Sequence, residues 1–237
     1  MKHYKYLLFD LDGTLTESGR GIINSVLYAL KKNGIDETDR EKLWAFVGPP
    51  LTDSFQKYYG MTREQSLHMV DDYREYYLER GWKENLVYEG IPEVLESLRA
   101  QGRRLIVATS KPETSAKKIL AYFQLDSYFD LIAGATMDES RNRKDQVIAY
   151  ALRQMGTAEN ILMVGDRSHD VEGARENGLL CIGVLYGYGS REELEEAGAA
   201  AICPEVRDLP AVIAALEKAS SPLASGAMTG DSCFCNI

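Results

Sequence analysis

The sequence predicts an α/β fold in which a parallel, Rossmann-like sheet carries helices on both faces. Two observations support this prediction. Four short and almost wholly apolar runs are typical of buried strands, at residues 6–9, 105–108, 161–164 and 181–184. Amphipathic segments of helical length lie between or beside these runs, at residues 91–101, 112–122, 144–155 and 171–177. Such an alternation favours parallel strands joined by helical crossovers.

Residues 16–83 interrupt this alternation. They contain helical patterns at residues 22–32, 51–59 and 62–79, without a convincing strand between them. Because this insertion follows the first strand, we expect it to lie over the carboxyl end of that strand, where open α/β sheets bind their ligands. The predicted organisation is a core domain (1–15 and 84–218), a helical domain (16–83) and a Ser-, Ala- and Gly-rich disordered tail (219–237).

Composition limits the function. The 27 basic and 36 acidic residues give a net charge of −9, which argues against a nucleic acid polymer as partner. The four cysteines are too few for a disulfide framework, and their spacing does not suggest a zinc site, so a reducing cytoplasm is expected. The sequence indicates neither a signal peptide nor a membrane-spanning stretch, and no membrane partner is expected.

Two aspartates follow the first predicted strand, in the run Phe9-Asp10-Leu11-Asp12-Gly13-Thr14. Gly13 allows the chain to turn there, so that both carboxylates can converge on one ligand. A carboxylate at a strand's carboxyl end can act as a nucleophile towards phosphorus. The alternative is a polar turn that caps a helix.

A second pair of carboxylates, Asp166 and Asp170, follows the strand predicted at residues 161–164. Four carboxylates at one sheet edge would repel one another unless a cation lies among them. Oxygen ligands without cysteine or a well-placed histidine favour Mg²⁺.

Two further segments contain polar groups suited to phosphate. The strand predicted at residues 105–108 ends in Thr109-Ser110-Lys111-Pro112, where a hydroxyl and backbone amides could hold phosphate oxygens. An ordinary helix N-cap is the alternative. Lys144 begins a predicted helix directly after Arg143, where the alternative is a solvated basic turn.

Taken in order, these segments resemble the haloacid dehalogenase superfamily, in its phosphoglycolate phosphatase-like branch, from the N-terminus to about Leu216. The first family motif, D-x-D-x-T, matches Asp10, Asp12 and Thr14. The resemblance implies that Asp10 is the nucleophile and that Asp12 is the general acid and base. The fourth motif, G-D-x-x-x-D, matches Asp166 and Asp170.

The second and third motifs are implied by the same resemblance. Thr109 takes the place of the family's strand-ending Thr or Ser, and Ser110 replaces the asparagine of a related Thr-Asn-Lys-Pro pattern. Lys144 is the expected phosphate-binding lysine, with Arg143 as the alternative. The expected Mg²⁺ ligands are Asp10, the backbone carbonyl of Asp12, Asp166 and, directly or through water, Asp170. The expected phosphate contacts are Leu11, Asp12, Thr109, Ser110 and Lys144.

The resemblance also implies that the helical insertion is a cap, with hinge strands near residues 15–18 and 84–89. The loop Gly48-Pro49-Pro50 resembles the cap loop that faces the active site in relatives. The neighbouring tyrosines Tyr73, Tyr76 and Tyr77 are interpreted as packing residues.

The expected function is Mg²⁺-dependent hydrolysis of a small phosphorylated metabolite through an aspartyl-phosphate intermediate, by a monomer or homodimer. Within this chemistry the alternatives are a nucleoside monophosphate phosphatase (5'-nucleotidase), a sugar phosphatase and a β-phosphoglucomutase. A dehalogenase is disfavoured because dehalogenases of this superfamily lack the second aspartate, here Asp12. From another class, the alternative is a catalytically silent relative that binds a partner or ligand.

Overall fold

The computed structural model describes residues 2–138 and 140–219. The disordered tail predicted for residues 219–237 lies outside the described residues, except for Ala219. That residue ends the last helix.

Eight strands are present in the described part of the chain. Six form a wholly parallel sheet in the order β5-β4-β1-β6-β7-β8, and the short strands β2 and β3 form a separate antiparallel pair. Their bounds are β1 (Tyr6–Phe9), β2 (Thr16–Glu17), β3 (Leu86–Val87), β4 (Arg104–Pro112), β5 (Leu131–Ala135), β6 (Ile161–Gly165), β7 (Leu180–Val184) and β8 (Ala201–Cys203).

The strands of the sheet are apolar because both faces are covered. In β1, Leu7 and Phe9 pack into one hydrophobic cluster and Leu8 packs into another, and all three side chains are buried. Successive side chains of a strand point to opposite faces, so the two clusters lie on opposite sides of the sheet. The predicted fold class, a Rossmann-like parallel sheet covered on both faces, is confirmed.

Ten α-helices cover the sheet and form the insertion within the described residues. They are α1 (Gly19–Lys32), α2 (Arg40–Leu43), α3 (Leu51–Tyr59), α4 (Arg63–Glu79), α5 (Ile91–Ala100), α6 (Glu113–Tyr122), α7 (Lys144–Met155), α8 (Ser168–Glu176), α9 (Arg191–Ala197) and α10 (Leu209–Ala219). The predicted bounds of α7 match, whereas α8 begins three residues before the predicted Val171.

The helices α1 to α4 lie between β1 and β4, where the sequence predicts the insertion; residues 19–83 are called the helical segment below. A capping box between Thr62 and Gln65 begins α4. The buried Asp72 of α4 accepts hydrogen bonds from Lys32 Nζ at 2.7 Å and from Asn33 Nδ2 at 2.6 Å, which joins α4 to the end of α1. Strands β2 and β3 lie where the chain enters and leaves the helical segment, and Thr16 of β2 pairs there with Val87 of β3.

Among the described helices, none combines the length and the apolar character needed to cross a membrane.

Candidate active site

Three neighbouring strands bring the predicted polar residues to one edge of the sheet. Strand β1 pairs in parallel with β4 on one side and with β6 on the other. Asp10 follows β1, Thr109 lies near the end of β4, and Asp166 follows β6. The carboxyl ends of parallel strands meet at one edge, and this arrangement therefore creates the candidate site.

Three carboxylates converge there. One oxygen from each of Asp10, Asp166 and Asp170 lies within 4.8 Å of the others, and all three residues are buried. Burial, and the charge of the neighbouring carboxylates, raise the pKa of Asp10 and of Asp166 above the usual value. A cluster of this kind is stable only with compensating positive charge.

Lys144 supplies part of that charge. Its Nζ atom lies 2.6 Å from Oδ1 of Asp10 and 2.7 Å from Oδ1 of Asp170, and it donates a hydrogen bond to the carbonyl oxygen of Ala108 at 3.1 Å. Burial alone would lower the pKa of Lys144, but the two carboxylates raise it above its usual value. Arg143 instead pairs with Asp145, and 60% of its side chain is exposed. The structure thus brings Lys144, and not Arg143, to the carboxylates.

Asp166 is held from several directions. It accepts hydrogen bonds from the backbone N–H of Tyr188 at 2.8 Å and from Thr14 Oγ1 at 3.3 Å. Gly13, with a φ of +84°, lies so close that a Cβ atom there would overlap the Asp166 carboxylate. Glycine is needed at this position both for the backbone angle and for the space.

Asp12 lies beside the carboxylate cluster, but its side chain is outside it. Its Oδ2 atom forms an ion pair with Lys111 Nζ at 2.8 Å. The buried Oδ1 atom has no hydrogen-bond partner among the described residues. The unpartnered Oδ1 atom is compatible with the expectation that the Asp12 carboxylate transfers a proton, and the metal contact expected through its backbone carbonyl stays a prediction.

The other predicted phosphate contacts follow Asp10 in the chain or lie near the end of β4, the strand that pairs with β1. The backbone N–H of Leu11 lies near the Asp10 carboxylate and acts to lower the pKa of Asp10, against the larger effect of burial. Thr109 is buried, and its Oγ1 atom accepts a hydrogen bond from the backbone N–H of Lys111 at 3.2 Å. Ser110 is half-buried and lines the cavity described below. The roles expected for these residues stay predictions.

The donor set fits a divalent cation. Lys144 provides one positive charge against the three carboxylates of the cluster, and every convergent carboxylate offers a hard oxygen ligand. Mg²⁺ is typically held by one or two carboxylates and completes its coordination with water and substrate oxygens. Asp10, Asp166 and Asp170, with the backbone carbonyl of Asp12, are the residues that would hold it.

A cavity of about 110 Å³ opens beside Asp12, between the sheet and the helical segment. On the sheet side it is lined by Asp12, Ser110 and Lys111. From the helical segment it is lined by the loop Gly48-Pro49-Pro50, the residues Tyr73, Arg74 and Tyr77 of α4, and several apolar side chains. The loop that the sequence predicts to face the active site therefore lines a cavity next to Asp12.

A sequence profile of the haloacid dehalogenase-like hydrolase family matches residues 7–184. The chain belongs to that family. The family resemblance stated from the motifs is confirmed, and so is the predicted enzyme class, a phosphatase of this family.

Several relatives align with this chain over most of its length. It is 44% identical over 211 residues to a protein named 5'-nucleotidase from Pseudomonas aeruginosa, covering 89% of this chain and 96% of the relative. It is 41% identical over 192 residues to the tyrosine-protein kinase PtkA of Mycobacterium tuberculosis, covering 80% of this chain and 65% of that protein. A phosphoglycolate phosphatase from Aquifex aeolicus is 31% identical over 193 residues, covering 78% of this chain and 86% of that protein.

A solved structure has the same architecture. The crystal structure of a predicted phosphatase from Clostridium acetobutylicum superposes with a TM-score of 0.88 at 46% identity, covering 90% of this chain and 99% of that one.

Two residues of this hydrolase contact the site without having been predicted to do so. Lys111 pairs with Asp12, and the backbone of Tyr188 donates to Asp166. Lys111 stands in the same run as Thr109 and Ser110, so its position next to a predicted phosphate contact was a usable signal. Tyr188 follows a strand far along the chain, and nothing in its local sequence indicates the contact.

Proposed function

We propose that this hydrolase is a Mg²⁺-dependent phosphomonoesterase that acts on a small phosphorylated metabolite through an aspartyl-phosphate at Asp10. The observation that carries the proposal is the contact of Lys144 with both Asp10 and Asp170, inside a cluster of three buried carboxylates at the carboxyl edge of the sheet. Such a cluster is best suited to bind a cation, which in turn stabilises an anionic substrate in the site.

The first step is phosphoryl transfer to the enzyme. A carboxylate oxygen of Asp10 attacks phosphorus, the bond from phosphorus to the ester oxygen breaks, and Asp12 donates a proton to that departing oxygen. Lys144 orients Asp10 through the 2.6 Å contact and provides positive charge for the phosphoryl oxygens. When bound, Mg²⁺ would further stabilise the negative charge that develops on the phosphoryl group.

The second step restores Asp10. Asp12, now a carboxylate, accepts a proton from a water molecule that attacks phosphorus, and the bond between phosphorus and the Asp10 oxygen breaks to release inorganic phosphate. The Thr109 hydroxyl and the backbone amides near Leu11, Asp12 and Ser110 would hold the phosphoryl oxygens in both steps.

We further propose that residues 16–83 act as a cap over residues 1–15 and 84–218. Support comes from the cavity between the two parts, from the loop at Gly48 that lines it, and from the antiparallel pair β2 and β3 at the root of the segment. Closure would exclude water during the attack by Asp10, and reopening would admit it for the second step.

The cavity favours a small leaving group. Its volume of about 110 Å³ lies below the 300–1,000 Å³ typical of sites for drug-sized ligands. A phosphorylated small acid, as the name of the Aquifex aeolicus relative suggests, is the first candidate substrate. A nucleoside 5'-monophosphate is the second, favoured by the 44% identity with a protein named 5'-nucleotidase and by the aromatic side chains of Tyr73 and Tyr77 in the cavity wall.

Hydrolysis of p-nitrophenyl phosphate tests the reaction. Turnover that requires Mg²⁺, stops with a chelator and is abolished in Asp10→Asn supports the proposal. The exposed Asp126→Asn is the matched control and should retain activity. Near-native turnover by Asp10→Asn contradicts the mechanism, and no turnover of any phosphate ester favours a catalytically silent relative.

A panel of 2-phosphoglycolate, 5'-nucleotides and sugar phosphates then ranks the substrates, and phosphoryl transfer back to a sugar would indicate a mutase.

A further inference from the structure

Lys111 is a buried cation that the proposed reaction leaves without a role. Only 5% of its side chain is exposed. Its Nζ atom lies 2.8 Å from Oδ2 of Asp12 and donates a hydrogen bond to the hydroxyl oxygen of Tyr77, also at 2.8 Å. The same Nζ atom lies 4.8 Å from the centre of the Tyr77 ring. A lysine buried in this way requires its partners, because an unpaired charge in the interior is strongly unfavourable.

An irregularity in β4 places Lys111 in this position. Thr109 pairs with Gly134 of β5, but the next paired residue of β4 is Pro112, opposite Ala135. Ser110 and Lys111 are therefore extra residues in β4. Such bulges redirect side chains and are frequent beside active sites. Gly134 accommodates the bulge, since a Cβ atom there would lie 2.7 Å from the carbonyl oxygen of Lys111.

Tyr77 connects this lysine to the helical segment. It lies on α4, and its ring stacks on that of Tyr73 with centroids 5.3 Å apart and an interplanar angle of 15°. Both rings are buried, as expected for packing residues, but the Tyr77 hydroxyl is also a polar contact of Lys111. A continuous set of contacts thus runs from α4 through Lys111 to Asp12.

We propose that Lys111 is a positioning residue for Asp12, and that Tyr77 makes this positioning depend on where α4 lies. By holding Oδ2 of Asp12, Lys111 leaves the buried Oδ1 atom to exchange the proton with the leaving oxygen. The inference rests on the proposed function, since it assigns to Asp12 the acid step of that reaction. It predicts that the acid step is fully effective only when the helical segment lies over the site.

Two substrates of nearly equal size separate this role from a general loss of structure. Phenyl phosphate releases phenol, whose pKa is about 10, like that of an unperturbed tyrosine side chain, so its departure needs an acid. p-Nitrophenyl phosphate releases a much more acidic phenol and needs an acid far less. The parameter kcat/KM reports the steps up to the first departure and is insensitive to the later hydrolysis of the aspartyl-phosphate.

In Lys111→Met we expect kcat/KM to fall about tenfold to a hundredfold for phenyl phosphate and less than about threefold for p-nitrophenyl phosphate. The control Lys117→Met, on the exposed face of α6, should leave the ratio of the two values unchanged. An equal loss on both substrates, or no loss, overturns the role of Lys111.

Tyr77→Phe keeps the ring and removes only the hydroxyl. It should shift the same ratio in the same direction by a smaller factor, and an unchanged ratio overturns the link to α4. If circular dichroism shows that Lys111→Met does not fold, the Tyr77→Phe ratio decides the proposal. Absence of wild-type turnover, or full activity of Asp10→Asn, would instead reject the proposed function itself.

Discussion

The ammonium group of Lys144 lies 2.6 Å from a carboxylate oxygen of Asp10, although 134 positions separate the two residues in the chain. The contact joins the first residue of α7 to the first residue after β1. It gives the proposed nucleophile a fixed orientation and places positive charge where a phosphoryl group would bind.

The first prediction concerns this lysine. Lys144→Met should lower kcat by about a hundredfold or more, because an oriented charge next to the reacting phosphoryl group is lost. It should also lower the free energy of unfolding by about 3–5 kcal/mol, since buried carboxylates lose their partner. Steady-state kinetics and chemical denaturation measure the two effects. Arg143→Met, at the adjacent exposed position, should leave both quantities nearly unchanged; a large loss of activity there would point to Arg143 instead.

The second prediction concerns the turn after β1. Gly13→Ala should abolish most of the activity, because the added Cβ atom overlaps the Asp166 carboxylate. Gly102→Ala provides the matched control: its φ of +77° is also positive, but no atom lies within 4 Å of the place that a Cβ atom would occupy there. Backbone strain should cost each variant about 1 kcal/mol of stability, and the overlap with Asp166 should add to the loss in Gly13→Ala. Only Gly13→Ala should lose activity, and equal activities would show that Asp166 tolerates displacement.

A third prediction tests the space beneath the bulge of β4. Gly134→Ala brings a Cβ atom against the backbone of Lys111 and Glu113 and should shift the bulge. We expect the ratio of kcat/KM for phenyl and p-nitrophenyl phosphate to move as it does in Lys111→Met. A change in stability with an unaltered ratio would show that the bulge does not control the position of Lys111.

The fourth prediction concerns the C-terminal helix. Arg103, which is buried, donates two hydrogen bonds to the Glu217 carboxylate of α10, at 2.8 and 3.1 Å, and the backbone N–H of Tyr4 donates a third at 2.7 Å. Burial would raise the pKa of Glu217, but these contacts lower it below its usual 4.5. Glu217→Gln should therefore cost about 1–3 kcal/mol of stability at neutral pH.

The sign of the pH dependence follows from that lowered pKa. The stabilisation by the ionised Glu217 is complete above the pKa of the unfolded state and is lost as the pH falls through the lower pKa of the folded state. The difference in unfolding free energy between wild type and Glu217→Gln should shrink as the pH is lowered below about 4.5. A difference that stays constant to strongly acidic pH would contradict the assigned pairing.

Much of the fold could be predicted because a strand that is buried on both faces has a nearly continuous apolar sequence. The prediction for residues 6–9 matches β1, since Tyr6 to Phe9 form an uninterrupted apolar run. Strand β5 was not predicted, because Ala133, Gly134 and Ala135 are weak strand formers and only tertiary pairing with β4 makes them a strand. Strand β8 is only three residues long, which is too short for a recognisable sequence pattern.

Part of the candidate site could likewise be predicted from the sequence, and part could not. Asp10 and Asp166 follow a strand, Thr109 lies near the end of one, and Lys144 begins a helix. Each of these elements has a clear sequence pattern, so the arrival of the four residues at one sheet edge could be expected. The position of Lys111 depends on two extra residues in β4, and the contact of Tyr188 depends on the approach of a distant loop. The contact of Tyr188 has no local signal in the sequence, and the only signal for Lys111 is its place beside Thr109 and Ser110, because both contacts are determined by tertiary structure.

Reductive trapping tests the central claim most directly. Borohydride converts an acyl phosphate into an alcohol, and peptide mass spectrometry identifies the carboxylate that carried it. With p-nitrophenyl phosphate and Mg²⁺ present, the modification should appear at Asp10 and require the substrate. Modification at Asp12, Asp166 or Asp170 instead, or rapid turnover with Asp10 unmodified, would contradict the assignment of Asp10 as the nucleophile.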